Sequence, residues 1–143
     1  MVEEISSEGR LLALIIRSNF DCKGLHFFTP DQFSQQLAYM HHPVGKTIAP
    51  HRHVALPRSV ELTQEVLIIR KGVLRVDLYR TDQTYLESRV LKSGDVILLA
   101  HGGHGFEVLE ELEMIEVKQG PYLGEEEKIR FPSISKDQLK VLS

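Results

Sequence analysis

The chain has 143 residues, 42% of them hydrophobic and 26% charged, with a formal net charge of −3. This length suits one domain with its own core, and the slight negative charge argues against a nucleic-acid-binding surface. Cys22 is the only cysteine, so no internal disulfide can form. The longest apolar run, Leu11–Ile16, is too short to cross a membrane. The acidic start is not typical of a secretory signal, so we expect a cytoplasmic protein without nucleic-acid or membrane partners.

The first forty residues contain one clearly apolar segment. Residues 1–9 are acidic and rich in serine, which predicts a loose terminus. The run Leu11–Ile16 predicts a buried strand, with a short helix as the alternative, and it is a candidate strand for a homodimer interface. Thr29–Gln32 has the cap residue, proline and glutamine of a helix start, so a short helix is expected there. Gln36–Met40 is either its end or, as we favour, a strand.

From Gly45 onward the sequence has a β pattern. Short apolar runs are separated by predicted turns at Gly72, Thr81–Gln83, Ser93–Asp95 and Gly102–Gly103. The predicted strands between them are Val66–Ile69, Val73–Tyr79, Tyr85–Leu91, Val96–Leu99, Phe106–Leu109 and Met114–Lys118. Alternation places three side chains on one face of the second of these strands: Leu74, Val76 and Leu78. Such short strands with glycine-bearing turns are typical of an all-β sandwich or barrel.

Histidines and a glutamate suggest a metal centre. On a β-strand, His51 and His53 would share one face with Cα atoms roughly 6–7 Å apart, so both rings can reach one ion at about 2.1 Å. Glu65 and His104 on neighbouring strands would complete a shell of three histidines and one glutamate. This mixed shell suits one divalent Fe, Mn, Ni, Co or Zn ion. In the alternatives, the histidines are ordinary surface or turn residues and Glu65 pairs with a nearby cation.

Two segments resemble the motifs of the cupin superfamily. The first is Gly45-x5-His51-x-His53 followed by Glu65-x6-Gly72, and the second is Ser93–His104. The resemblance covers about half the chain, from Gly45 to about Val108, within a core of residues 45–118. It implies a small single-domain jelly-roll β-barrel with at most one or two short helices. It also implies one metal ion in the barrel mouth, with four residues in the ligand positions: His51, His53, Glu65 and His104.

The chain departs from the cupin pattern at two points. The stretch Val54–Gln64 separates the second histidine from the glutamate by eleven residues, which we interpret as a loop insertion. His104 follows Gly94 by ten residues, one fewer than is usual, which a shortened turn or a bulge would accommodate. Ala100 replaces the usual proline. Beyond the motifs, residues 121–143 form a tail whose charged run, Glu125–Lys128, is expected to face solvent.

The predicted site favours a metal-dependent enzyme acting on a small polar or carbohydrate-like molecule. By resemblance this would be isomerase- or epimerase-type Lewis-acid chemistry, or a dioxygenase. Glu116, Tyr39 and His101 are the candidates for moving a proton, although Glu116 could equally face solvent and His101 could lie in an exposed turn. Arg58, in the inserted loop, is a candidate contact for an anionic substrate. The alternative function is a non-catalytic cupin that binds or senses a small ligand.

Overall fold

The computed structural model describes residues 1–142, and it is nearly all β, with 46% of residues in strands. Helical structure in the described residues is limited to two short 3-10 helices, Gly124–Glu127 and Lys136–Gln138. The predicted all-β class with at most one or two short helices is therefore confirmed. Among these residues, no helix has the length and apolar character needed to span a membrane.

Nine strands run through the described residues. They are β1 (Val2–Ser7), β2 (Arg10–Ile16), β3 (Gly24–Phe27), β4 (Ala38–His41), β5 (Glu65–Tyr79), β6 (Tyr85–Lys92), β7 (Val96–Leu99), β8 (Gly103–Lys118) and β9 (Val141–Leu142). The chain divides into two compact units. The sheet unit comprises Met1–Phe20 and the chain from Thr63 onward, and the hairpin unit comprises Asp21–Leu62. The single domain expected from the sequence stays a prediction.

The sheet unit is a curled half-barrel. Its strands lie in the order β1-β2-β7-β5-β6-β9, and β8 pairs with β5 along nearly its whole length. The pairings are antiparallel except that of β6 with β9. Leu74, Val76 and Leu78 are at most 1% exposed, as alternation along this strand predicts. They pack in one apolar core with residues from the first part of β5, Leu67 and Ile69, and from other strands, including Ala13, Ile15, Leu91, Ile97 and Leu99.

β5 bends sharply around Gly72. Its pairing with β8 shifts register three times between Ile69 and Leu74, as β-bulges do, and Gly72 has a φ of +90°. A Cβ at this position would lie 2.0 Å from the Glu111 carbonyl oxygen, so only glycine fits. The predicted turn at Gly72 is wrong because the ladder with β8 continues on both sides of it. For the same reason the two strands predicted at Phe106–Leu109 and Met114–Lys118 are one strand.

β1 occupies most of the segment for which a loose terminus was predicted. It pairs with β2, and its Ile5 is buried in the core. Its acidic character is offset because Glu3 forms ion pairs with Arg17 and Arg89. The buried strand predicted at Leu11–Ile16 is confirmed. That strand lies between β1 and β7 and pairs with both, and its role in a homodimer interface stays a prediction.

The hairpin unit contains a two-stranded antiparallel sheet of β3 and β4. β4 agrees with the strand favoured near Gln36–Met40, but the helix predicted at Thr29–Gln32 is wrong. The Phe33 N–H donates to the Pro30 carbonyl and forms a turn instead. The Gln36 side-chain amide donates to the carbonyls of Pro30 and Phe33, so a glutamine beyond the predicted helix closes this loop.

The C-terminal tail packs on the sheet unit. The Tyr79 hydroxyl accepts a hydrogen bond from the Ile134 N–H, and the Tyr85 hydroxyl accepts one from the Lys140 N–H, each at 2.9 Å. The Phe131 ring contacts Tyr79 edge to face, with 4.9 Å between ring centroids. β9 then extends the sheet beside β6. The tail is therefore held by hydrogen bonds and ring packing.

Candidate functional site

The sheet unit contains a cavity of about 580 Å³. Both ends of β5, both ends of β8 and the tail contribute to its wall. Its charged and polar lining residues are Thr63, Glu65, His104, Glu116, Glu127, Lys128, Arg130 and Ser133, and its aromatic ones are Tyr79, Phe106 and Phe131. The volume falls within the range of small-molecule sites.

Glu65 and His104 meet in this cavity. The Glu65 Oε2 and His104 Nε2 atoms are 3.5 Å apart, and the two side chains are 13% and 30% exposed. His104 pairs with Leu78, and Leu78 lies thirteen residues after Glu65 on β5. In a straight strand, with about 3.3 Å per residue, those thirteen residues would span roughly 43 Å. The contact therefore depends on the bend around Gly72.

The carboxylate of Glu65 is held in its ionised form. The neighbouring His104 imidazole lowers the pKa of Glu65, and this effect outweighs the opposing effect of burial. Lys118, directly across the ladder, and a contact with Glu116 lower it further. Glu116 is exposed yet lines the cavity, which agrees with the interpretation that this residue reaches the pocket. An ionised, half-buried carboxylate beside an imidazole is a donor pair that divalent transition metals accept.

His51 and His53 lie in the hairpin unit. Residues 42–64 are all described and contain no helix or strand, so the predicted strand under these two histidines is wrong. Their ring centroids are nevertheless 5.5 Å apart. When an imidazole nitrogen binds a metal at about 2.1 Å, the centroid of its ring lies about 3.2 Å from the metal. Two rings whose centroids are 5.5 Å apart can therefore bind the same ion. The surrounding loop agrees with the insertion predicted at Val54–Gln64.

The hydrogen bond of His51 leaves its Nε2 atom facing no acceptor among the described residues and open to a metal ion, as in the Nε2-bound form of histidine ligands. Its Nδ1 atom lies 2.8 Å from the Ala49 carbonyl oxygen, to which it can only donate. The lone pair of the neutral ring is then on Nε2, and a histidine ligand commonly has this arrangement. The structure thus describes two separate donor pairs, Glu65 with His104 in the sheet unit and His51 with His53 in the hairpin unit. The described residues contain no group of three or more histidine, cysteine, aspartate or glutamate side chains close enough to hold a metal ion, and the four-residue shell stays a prediction.

The other two proton-transfer candidates lie outside the cavity lining. Tyr39 donates a 3.0 Å hydrogen bond to Asp21, which also pairs with His41. Partial desolvation and Asp21 raise the pKa of Tyr39, while the contact with His41 lowers the pKa of Asp21. Alternation along β4 places Tyr39 and His41 on one face, but nothing in the sequence identified Asp21 as their partner. The backbone N–H of His101, at the start of the turn before β8, donates a hydrogen bond to the backbone carbonyl of Leu11.

Sequence reasoning missed the contribution of the tail. The charged run Glu125–Lys128 is largely exposed, as predicted, but Lys128, together with Arg130 and Phe131, also lines the cavity. Phe131 lies against Gly103, where an added Cβ would be 2.7 Å from the ring. A glycine next to the predicted histidine ligand was a possible signal of such close packing, but it was interpreted as a turn residue.

Comparison with known proteins yields no relative for this chain: no protein-family model, curated protein or solved structure matches it. The cupin resemblance therefore depends on the motifs quoted above and on a curled, sheet-rich unit compatible with a jelly roll.

Proposed function

We propose that the chain is a cupin-like metalloprotein that binds one divalent transition-metal ion through His51, His53, Glu65 and His104. We further propose that it acts as a metal-dependent enzyme on a small polar or carbohydrate-like molecule. The observation that carries this proposal is the 3.5 Å contact of Glu65 with His104 in a cavity of small-molecule size. These residues come from opposite ends of the β5–β8 ladder, so their meeting is a property of the fold rather than of neighbours in sequence.

The donor chemistry supports the ion. Glu65 supplies an anionic oxygen that its surroundings keep ionised, and His51 has Nδ1 engaged so that Nε2 is its coordinating atom. When bound, a divalent ion supplies Lewis-acid polarisation of a substrate oxygen or, if it is redox-active, chemistry with O₂. The first suits an isomerase or epimerase and the second a dioxygenase. Glu116, beside Glu65 in the cavity, is then the carboxylate best placed to exchange a proton with the substrate.

Metal analysis of the purified protein tests the proposal. We expect about one equivalent of a transition metal by mass spectrometry, and competitive Zn²⁺ titration should give at least tenfold weaker binding for His51→Ala and for His104→Ala. His42→Ala and His101→Ala are matched controls, since each removes a nearby imidazole outside the predicted shell. Equal Zn²⁺ affinity in all four variants would contradict the proposed ligands.

A non-catalytic cupin that binds or senses a small ligand is the alternative function. The weak set of proton-transfer groups favours it, because Tyr39 is engaged with Asp21 and His101 lies outside the cavity lining. A panel of sugars and small polar acids separates the two functions. An enzyme converts one member only when loaded with metal, whereas a binding protein gains thermal stability without forming product.

We also propose that the protein is a cytoplasmic homodimer. Exposed sheet edges are commonly covered by self-association, and β8 has several exposed apolar side chains, among them Val108, Ile115 and Val117. Sedimentation at micromolar concentration should give twice the monomer mass of 16.3 kDa. A single monomeric species would contradict the dimer without bearing on the metal site.

A further inference from the structure

Lys128 lines the cavity and, within residues 1–142, forms no salt bridge with a carboxylate. Two other cations near the cavity are already paired: Lys118 Nζ is 2.9 Å from Glu127, and Arg130 Nη2 is 2.7 Å from Glu125. Within residues 1–142, the Lys128 side chain forms no salt bridge and no hydrogen bond. The charge of Lys128 lowers the pKa of Glu125, but less than Arg130 does, and it lowers the pKa of Glu127, but less than Lys118 does.

The rest of the lining provides a different kind of contact. The lining contains three carboxylates, Glu65, Glu116 and Glu127. Glu65 is assigned to the metal and Glu127 is already ion-paired, so Glu116 is the one that accepts hydrogen bonds from the hydroxyl groups of a ligand. Tyr79 and Phe131 offer ring surfaces and are fixed relative to each other by their edge-to-face contact. The carboxylates would repel an anionic group. An anionic group on a ligand would therefore be favoured at Lys128, and hydroxyl groups would be favoured at Glu116.

We infer that Lys128 binds the anionic group, a carboxylate or a phosphate, of a small polyhydroxylated ligand whose hydroxyl groups meet Glu116 in the same cavity. The inference builds on the proposed function, since it names the substrate class of the same cavity. A cavity of about 580 Å³ accommodates a molecule of this size. The ammonium of Lys128 and the anion would form a charge-assisted hydrogen bond, which is stronger than a neutral one.

Calorimetric titration of the metal-loaded protein with three matched probes tests the inference. The probes are glucose, glucuronate and glucose 6-phosphate, which differ in the presence and kind of the anionic group. We expect at least one of the two anionic probes to bind about tenfold more tightly than glucose. Their relative affinities identify which anion the site prefers. The advantage should disappear in Lys128→Met, persist in part in Lys128→Arg and shrink as ionic strength rises.

Lys136→Met is the matched control, because Lys136 is an exposed tail lysine that does not line the cavity. This variant should keep the full advantage of the anionic probe. The inference is overturned if neither anionic probe binds more tightly than glucose, or if Lys128→Met retains the difference. The outcome is separable from that of the metal proposal. If Lys128-dependent binding is absent, the metal stoichiometry is unaffected. If the protein takes up no metal but still prefers the anionic probes, only the metal shell is contradicted.

Discussion

Glu65 and His104 are 3.5 Å apart in the cavity, although His104 pairs with a residue at the far end of the strand that Glu65 begins. The bulged bend at Gly72 brings the two ends of this ladder together. The position of one glycine and the geometry of the candidate site are therefore linked.

Replacing Gly72 with alanine should destabilise the protein and separate the Glu65–His104 pair. The positive φ and the 2.0 Å approach of the Glu111 carbonyl leave no room for a methyl group. We expect a loss of about 2–3 kcal/mol in the free energy of unfolding, measured by urea denaturation.

Gly9→Ala is the matched control for this substitution. Gly9 also has a positive φ, of +73°, but an added Cβ there meets nothing within 4 Å. The Gly9→Ala substitution should lower the free energy of unfolding by only about 1 kcal/mol, because it carries the backbone penalty of a positive φ without a steric clash. Equal losses in the two variants would show that the bend does not require glycine for its close approach.

The pairing of Glu3 with two arginines should make stability depend on pH. The contact with Arg17 holds the pKa of Glu3 below its ordinary value of 4.5. A carboxyl whose pKa is lowered on folding contributes stability above its unfolded pKa, and that contribution is lost as pH falls through the folded pKa.

Glu3→Gln should therefore cost about 1–2 kcal/mol of unfolding free energy at pH 7, and the difference from wild type should shrink steadily below pH 4.5. Glu4→Gln, at the exposed neighbouring position, serves as the control and should change little. Urea denaturation at several pH values measures both. A wild-type-minus-variant difference that grows on acidification would contradict the assigned role of Glu3.

The Tyr79 hydroxyl should contribute measurably to holding the tail. Tyr79 is 4% exposed, and its oxygen accepts the Ile134 N–H at 2.9 Å. Tyr79→Phe should cost about 1 kcal/mol and speed hydrogen exchange at the Ile134 amide. Tyr122→Phe, at a position that is 81% exposed, should have neither effect. Unchanged exchange at Ile134 in Tyr79→Phe would mean that the tail is held by other contacts.

Much of the strand content could be predicted because the core residues form short apolar or alternating runs that are visible in the local sequence. Apolar runs such as Leu11–Ile16 and Val96–Leu99 identify buried strands without any knowledge of their partners. β1 was missed because the charge of its Glu3 is neutralised by partners from other strands or loops, Arg17 and Arg89, which a local pattern does not reveal. The bend at Gly72 was missed because a glycine with positive φ serves equally in a turn and in a bulge, and only the partner strand distinguishes them.

The candidate site was predicted in part for a different reason. Glu65 and His104 were named from their motif positions, and the structure brings them together in one cavity. The contribution of Lys128 could not be anticipated. It depends on the path of the tail, which is fixed by contacts of Tyr79 and Tyr85 more than forty positions earlier.

Anomalous X-ray diffraction from crystals of the metal-loaded protein, recorded at the absorption edge of the bound metal, tests the central claim most directly. The account predicts one strong peak at about 2.1 Å from nitrogen atoms of His51, His53 and His104 and from an oxygen of Glu65. A peak coordinated by other residues, or loaded crystals with no peak beside Glu65 and His104, would contradict it.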